Sequence, residues 1–212
     1  MPCQIVPALL TNDEQQLKEL QQKLSFAPLL QLDIMDGKFV PSVSVSLDTV
    51  KDNPFESAFE VHLMVYHPEQ YFQTVKDIGA QGVIFHVEST DDICFAIDEA
   101  KALGLKVSLA INPDMPYTAL KAYLDNLDGV LFMTVYPGFY GAKFEPKVLK
   151  KIESFRALYP NIEIAIDGGA KISNIEQIRD AGVNKICVGS AIAMNADPQV
   201  IYNDFFQLAN KR

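Results

Sequence analysis

The sequence predicts an α/β protein with a single closed (β/α)8 barrel, the TIM barrel fold class. Eight short apolar runs recur along the chain, amphipathic segments separate most of them, and the spacing is even. An open, doubly wound sheet is the structural alternative, but this many evenly spaced units favour closure. The predicted strands lie at 5–9, 29–33, 59–64, 82–86, 106–111, 129–134, 162–167 and 185–189.

The apolar runs are rich in Val, Ile, Leu and Phe, which is typical of parallel strands that are buried on both faces. The first amphipathic segment, 13–24, carries leucines at helical spacing and follows a possible N-cap at Thr11 or Asn12. Two later segments end at a glycine, as helices often do. The predicted helices are 13–24, 47–52, 68–78, 91–103 and 173–181.

Length and charge limit the function. The 212 residues, 49% of them hydrophobic, describe one soluble domain over 1–212, with no linker or composition break. The net charge is −9, from 18 basic and 27 acidic residues. An acidic surface of this kind argues against a nucleic-acid partner and against an anionic membrane surface.

The cysteines and the apolar pattern indicate the compartment. Cys3, Cys94 and Cys187 are far apart and odd in number, with neither metal-ligand spacing nor a disulfide framework. A reducing cytoplasm is the expected location. No stretch is long and apolar enough to span a bilayer, and the N-terminus lacks the pattern of a signal peptide.

Polar residues lie where the predicted strands end, and this is the edge of the barrel that carries the chemistry. Gln31 and Asp33 share one face of strand 2, while His62 and Asp167 lie on strands 3 and 7. If these faces point inward, the four side chains converge near the mouth of the barrel. Two carboxylates, one imidazole and one amide form a possible divalent metal site, and the paired acids suit proton transfer.

Glycines follow the last two strands. Gly168 and Gly169 come after strand 7, and Gly189 and Ser190 come after strand 8. Glycines let backbone N–H groups approach an anion closely, and this fold commonly binds phosphate with these two loops. After strand 6, the glycines and aromatic residues of 136–144 predict a flap over the site.

The chain resembles the ribulose-phosphate 3-epimerase family along essentially its whole length. The most specific matches lie at strands 2, 3, 6 and 7. They are Asp33-Ile34-Met35-Asp36-Gly37-Lys38-Phe39-Val40-Pro41, Val61-His62-Leu63-Met64, Met133-Thr134-Val135-Tyr136-Pro137-Gly138-Phe139 and Asp167-Gly168-Gly169. Further matches are Pro7-Ala8-Leu9-Leu10, Phe85-His86-Val87-Glu88, Asn112-Pro113 and Val188-Gly189-Ser190-Ala191.

The resemblance implies an isomerase that epimerises a ketose phosphate at C3, interconverting D-ribulose 5-phosphate and D-xylulose 5-phosphate in the pentose phosphate pathway. Asp33 and Asp167 match the two acids that remove and return the C3 proton. Gln31, Asp33, His62 and Asp167 match the ligands of one divalent metal ion, Mn²⁺, Fe²⁺ or Zn²⁺, which stabilises the enediolate.

The resemblance also implies residues that surround the substrate. Three methionines match those that pack beside the enediolate, namely Met35, Met64 and Met133. The implied substrate and phosphate contacts are His62, Gly138, Phe139, Tyr140, Gly141, Gly168, Gly169, Gly189 and Ser190. A homo-oligomer is expected from the family and the acidic surface.

The chain departs from the family pattern at and near the site. Gln31 stands where a His is usual, and a neutral amide suits Mn²⁺ or Fe²⁺ better than Zn²⁺. Ala8 replaces a Ser, and Ala165 replaces a common Glu. In the flap, Tyr140 and Ala142 replace a Gly and a Gln. Such clustering indicates altered substrate choice or reduced activity.

Three functions therefore stay open. The first is a metal-assisted epimerase for a pentulose 5-phosphate, which the retained Asp33, His62 and Asp167 favour. The second keeps the chemistry with another ketose phosphate, for example a hexulose 6-phosphate. The third is a catalytically impaired barrel that acts as a binding protein, which Gln31 and Ala8 favour. A related decarboxylase class needs a Lys between two acids at a strand end, and the sequence has none there.

Overall fold

Eight parallel strands close into a barrel in chain order, with β1 hydrogen-bonded to both β2 and β8. The computed structural model describes residues 2–138 and 142–211. This architecture confirms the predicted (β/α)8 barrel. The strands are β1 Gln4–Leu9, β2 Leu30–Met35, β3 Phe59–Met64, β4 Gly82–His86, β5 Lys106–Ile111, β6 Gly129–Met133, β7 Glu163–Asp167 and β8 Lys185–Val188.

Helices follow the strands and cover the outside of the barrel. Their bounds are α1 Glu14–Lys23, α2 Leu47–Asp52, α3 Phe72–Asp77, α4 Ile93–Ala102, α5 Lys147–Leu158, α6 Ile175–Asp180, α7 Ser190–Ala193 and α8 Pro198–Asn210. Short 3-10 turns occur at Pro68–Gln70, Tyr117–Leu120 and Leu124–Asn126. In the described part of the chain, no helix is both long and apolar enough to cross a membrane.

Local chemistry sets where several helices begin. The carboxylate of Asp13 accepts a hydrogen bond from the backbone N–H of Gln16, so Asp13 caps α1. The predicted caps Thr11 and Asn12 were therefore wrong by one or two residues. Asp92 caps α4 in the same way. A side-chain acceptor at these positions satisfies a backbone donor that has no partner within the helix.

The fifth unit differs from the prediction of eight strand–helix pairs. Between β5 and β6 the chain forms two 3-10 turns and no α-helix. This connection begins with Pro113 and Pro116, which lack a backbone N–H and disfavour helix in the residue before them. The predicted helix at 68–78 also divides into a 3-10 turn and α3, whereas α5 was not predicted.

The register of the strands arranges the barrel interior in layers. At the lower end, Lys185 on β8 reaches across to Glu60 on β3, with 2.9 Å between Nζ and Oε2. The middle is apolar and holds Val6, Ile84, Ala110, Leu131, Met133, Ala165 and Cys187. Above it lie the buried polar side chains of Asp33 and His62, which pair in register between β2 and β3, and of Asp167 at the end of β7. The upper layer is therefore polar.

A second apolar layer joins the strands to the helices. Phe132 on β6 and Phe155 on α5 are fully buried, and their ring centroids lie 5.4 Å apart at an angle of 70°. Tyr117 also packs against Phe155, with a centroid distance of 5.8 Å. Edge-to-face contacts of this kind add to the free energy of burying the rings.

We predict that Phe155→Ala will lower the free energy of unfolding by about 3–5 kcal/mol, because it removes a fully buried ring and leaves a cavity. Urea unfolding followed by circular dichroism measures this loss. Phe206→Ala on α8 is the matched control, since that ring is 41% exposed, and its effect is expected to stay within about 0.5 kcal/mol. Equal losses in the two variants would contradict the packing described.

Candidate active site

Two acidic side chains meet at the mouth of the barrel. Asp33 lies near the carboxyl end of β2, and Asp167 is the last residue of β7. Both side chains are buried. The side-chain nitrogen of Gln31 donates to Oδ1 of Asp33 and to Oδ2 of Asp167, with 2.8 Å to each oxygen. Two carboxylates from distant parts of the sequence therefore share one donor.

His62 lies beside both acids. Its Nδ1 atom is 3.4 Å from Oδ1 of Asp33 and 3.3 Å from Oδ2 of Asp167, and it has no hydrogen-bond partner among the described residues. Its Nε2 atom lies 3.0 Å from Nε2 of His86, and the two rings stack at 16°. One of these two nitrogens must carry a proton and the other must accept it.

Burial and neighbouring charge shift the pKa values of these groups. Burial, and then the negative charge of Asp167, raise the pKa of Asp33 to about 6. Burial lowers the pKa of His62, but the two carboxylates outweigh it and raise that pKa to about 9. Burial, and then the charge of His62, hold the pKa of His86 well below its usual range. His86 is therefore neutral and can accept the proton of His62 Nε2.

The oxygen of the Gln31 amide contacts a thiol. The Sγ atom of Cys187 on β8 lies 2.9 Å from Oε1 of Gln31, and both side chains are buried. Burial, and then the charge of Asp167, raise the pKa of Cys187 well above its ordinary value, so the group is a thiol. The thiol donates to the amide oxygen.

Three of these residues fit a divalent metal ion. One ligand atom from each of Asp33, His62 and Asp167 lies within 4.8 Å of the others, and all three residues are buried. Two carboxylate oxygens and one imidazole nitrogen suit Mn²⁺, Fe²⁺ or Zn²⁺, and the free Nδ1 of His62 faces the acids. Gln31, the fourth predicted ligand, presents its nitrogen rather than its oxygen to the acids.

A cavity of about 610 Å³ opens above the acids, which is large enough for a sugar phosphate. The predicted residues that line it are Asp33, Met35, Met64, Met133, Gly138, Asp167, Gly168, Gly169, Gly189 and Ser190. Ala8 and Ala142, two of the departures from the family pattern, line it as well. The predicted contacts Phe139, Tyr140 and Gly141 lie outside the described residues.

Backbone geometry requires glycine at the turn after β7. Gly168 has φ +103° and Gly169 has φ +67°, a region that other residues rarely adopt. A Cβ atom on Gly168 would also overlap the side chain of Val135. The predicted glycine loop therefore brings its backbone close to the cavity. A separate contact involves the flap. The hydroxyl of Ser42, in the β2–α2 loop, donates to the carbonyl oxygen of Gly138 and so ties the start of the flap to that loop.

Sequence reasoning gave no role to several residues of the site region. His86 and Cys187 touch the polar cluster, while Lys171 and Asn174 line the cavity. His86 lies at the end of β4 and shares a face with Ile84, so period-two alternation could have placed it inward. The contact of Cys187 with Gln31 has no local signal, because it depends on how the barrel closes.

The fold and the site together define a barrel enzyme with paired acids at its mouth. Residues 4–193 match the Ribulose-phosphate 3 epimerase family. The chain belongs to this family, and it is a ketose-phosphate epimerase, an isomerase that acts on small phosphorylated sugars.

Curated relatives match this chain over most of their length. The chain is 35% identical over 206 residues to a ribulose-phosphate 3-epimerase of Schizosaccharomyces pombe, covering 94% of this chain and 90% of that protein. It is 32% identical to the enzyme of Mycobacterium leprae, over 92% of this chain and 89% of that protein. The cytoplasmic isoform of Oryza sativa is also 32% identical, over 92% and 90%.

Solved structures share the fold at low sequence identity. Orotidine 5'-phosphate decarboxylase from Pyrococcus horikoshii superimposes with a TM-score of 0.70 at 15% identity, covering 98% of this chain and 100% of that chain. The 3-hexulose-6-phosphate synthase from Salmonella typhimurium gives 0.71 at 15% identity, over 97% and 98%. At such identity the likeness describes the barrel and not its chemistry.

We predict that the metal-free protein loses stability between pH 6.5 and about pH 9. The pKa of His62 is raised to about 9 in the folded state, so its stabilisation is present below its ordinary pKa and is lost as the pH rises through 9. Urea unfolding in the presence of EDTA, repeated across this pH range, measures the decline.

The variant His62→Gln is expected to show a smaller decline over the same range. His67→Asn changes an exposed histidine at a left-handed backbone position that Asn tolerates, and it should keep the wild-type pH dependence. A pH dependence in His62→Gln that is parallel to the wild type would contradict the charge assignment of His62.

Proposed function

We propose that this epimerase interconverts D-ribulose 5-phosphate and D-xylulose 5-phosphate by moving the proton on C3. The observation that supports the proposal is the pair Asp33 and Asp167. Their carboxylates both lie 2.8 Å from the nitrogen of Gln31, and both residues line the same cavity. Inversion at one carbon requires a base on one face and an acid on the other.

In the proposed reaction one aspartate is ionised and the other is protonated. The ionised carboxylate takes the C3 proton, and the electrons of the C–H bond move toward C2 and its carbonyl oxygen to form an enediolate. The protonated aspartate then gives its proton to the opposite face of C3. Either aspartate can begin, because the reverse reaction exchanges the two roles.

The raised pKa of Asp33 supports this exchange of roles. In the metal-free protein this pKa of about 6 lies close enough to neutral pH for the group to hold or release a proton. The shift has a local cause, because burial and the nearby charge of Asp167 both disfavour a second negative charge.

We propose that Asp33, His62 and Asp167 hold one divalent ion, Mn²⁺, Fe²⁺ or Zn²⁺. When bound, such an ion supplies positive charge to the oxygens at C2 and C3 and stabilises the enediolate. His62 keeps Nδ1 directed at the acids through the contact of its Nε2 with His86. With the proton of His62 on Nε2, the lone pair of Nδ1 faces the two acids and is available to a cation.

Three methionines supply the surroundings of the reacting carbon in this proposal. Met35 and Met64 pack in one small cluster at the mouth, Met133 lies in the apolar interior of the barrel, and all three line the cavity. Their thioethers exclude water without offering a strong hydrogen-bond partner. Low local polarity strengthens the electrostatic effect of the nearby charges.

The phosphate is proposed to lie in the cavity against the turns after β7 and β8. Gly168, Gly169, Gly189 and Ser190 line that region, and the two turn glycines bring backbone close to it. Lys171 also lines the cavity and adds a positive charge near the anion. In the flap, Gly138 lines the cavity, and contacts from Phe139, Tyr140 and Gly141 stay predictions.

A second candidate keeps the chemistry and changes the sugar. Ala8 and Ala142 are small and both line the cavity, which leaves room for a longer substrate such as a hexulose 6-phosphate. The third possibility, a barrel that only binds, is disfavoured by the intact acid pair.

Several further expectations stay proposals. The three cysteines are free in the structure, which supports a reducing cytoplasm. The net charge of −9 supports a small-molecule substrate and argues against nucleic acid or an anionic membrane as partner. A homo-oligomer remains a prediction from the family.

We predict faster turnover of D-ribulose 5-phosphate than of a hexulose 6-phosphate when the protein is loaded with Mn²⁺. An assay of each ketose phosphate by NMR, at equal concentration, measures the two rates. A faster rate with the hexulose would favour the second candidate. No epimerisation of any ketose phosphate would contradict the proposed function.

Acid variants provide the controls for this assay. Asp33→Asn and Asp167→Asn are each expected to reduce turnover by about 10²-fold or more, because each removes one proton carrier. Asp180→Asn changes an exposed acid that pairs with Arg179 on the surface, and it should keep the wild-type rate. Wild-type turnover in either active-site variant would rule out the two-acid mechanism.

A further inference from the structure

Gln31 uses both of its amide protons on the acid pair. Its side chain is fully buried, and Nε2 lies 2.8 Å from one oxygen of Asp33 and 2.8 Å from one oxygen of Asp167. A primary amide has two N–H groups, so each carboxylate receives one hydrogen bond. The amide nitrogen therefore fixes the relative position of the two acids.

Cys187 determines which end of the amide faces the acids. The thiol is 2.9 Å from Oε1, and a thiol can donate to an amide oxygen. With the amide reversed, Oε1 would face two carboxylate oxygens that offer no proton when ionised. The nitrogen would then face sulfur, which is a weak acceptor. Hydrogen bonding on both sides of Gln31 therefore selects the observed orientation.

This orientation does not suit a metal ligand. An amide nitrogen has no free lone pair for a cation, and it occupies the same two oxygens that approach Nδ1 of His62. To ligate through Oε1, Gln31 must rotate its amide by half a turn. That rotation breaks both N–H contacts to the acids and the contact from Cys187.

We propose that Gln31 is a positioning residue that holds Asp33 and Asp167 through its amide nitrogen. Cys187 fixes the amide in this orientation. A divalent ion in this site takes its protein ligands from Asp33, His62 and Asp167, without Gln31. The last statement rests on the proposed function for the presence of the ion, whereas the positioning role does not. Gln31 also keeps the acid pair assembled in the absence of any cation.

Mn²⁺ alone tests the ligand assignment. Isothermal titration compares the wild-type chain with Gln31→Met, which keeps the length of the side chain and removes both the oxygen and the N–H groups. His62→Gln is the control for loss of a true ligand. The Mn²⁺ affinity of Gln31→Met is expected to be unchanged or higher, because the variant frees two carboxylate oxygens. His62→Gln is expected to lose about tenfold or more.

A loss in Gln31→Met as large as that in His62→Gln would overturn the assignment. Cys187→Val gives a second test if Gln31→Met fails to fold. Removing the thiol donor releases the amide, so Mn²⁺ affinity should stay the same or rise. If Oε1 ligated the ion and Nε2 faced the sulfur, the affinity of Cys187→Val would fall instead, and the proposal would be wrong.

The positioning role is tested without metal. In protein labelled with ¹⁵N-glutamine and treated with EDTA, the Gln31 amide should exchange slowly with solvent in the wild type and in Cys187→Ser, which keeps a donor. Exchange is expected to be about fivefold faster or more in Cys187→Val, because one hydrogen bond is lost. Equal exchange in all three proteins would overturn the role of Cys187.

The two measurements separate the two proposals. If neither the wild-type chain nor any variant binds Mn²⁺, the metal-dependent part of the proposed function fails. The amide exchange then decides the role of Gln31 alone. Slow exchange in the wild type that depends on the Cys187 donor would still support positioning.

Discussion

Closure of the barrel is the constraint on which the site depends. Asp33 on β2 and Asp167 on β7 are separated by 134 positions along the chain, and β1 and β8 lie between their strands in the sheet. The closed ring of parallel pairs fixes the rotation and height of every strand, so inward side chains from distant segments share one layer. An open sheet with the same strands would leave these two acids apart.

The upper layer also has to accommodate two buried carboxylates. Removing one partner from a buried charged group typically costs about 3–5 kcal/mol, so such acids need hydrogen bonds and opposite charge. Here the Gln31 amide donates a hydrogen bond to each carboxylate, and the His62 ring lies beside the same oxygens. At the lower end of the barrel, the buried charge of Glu60 is stabilised by a direct ion pair with Lys185. The two buried carboxylates at the mouth therefore remain able to accept and release protons.

Local pattern was sufficient for much of this structure. Period-two alternation placed Asp33 and Asp167 on inward faces, and the strand sequence predicted closure. The pattern could not identify the connection between β5 and β6, which forms two 3-10 turns in place of an α-helix. It also could not identify the contact between Cys187 and Gln31, because that contact follows from the register of β8 with β1 and of β1 with β2. The contact therefore depends on how the whole barrel closes, and no short segment of the sequence predicts it.

The central claim is that two separate acids serve opposite faces of one carbon. Ribulose 5-phosphate that carries deuterium at C3 tests it directly, in a single turnover in ordinary water. The account predicts xylulose 5-phosphate with protium at C3, because the deuteron stays on the first acid while the second supplies a proton from solvent. Xylulose 5-phosphate that keeps most of the deuterium would contradict it, since one group would then have served both faces.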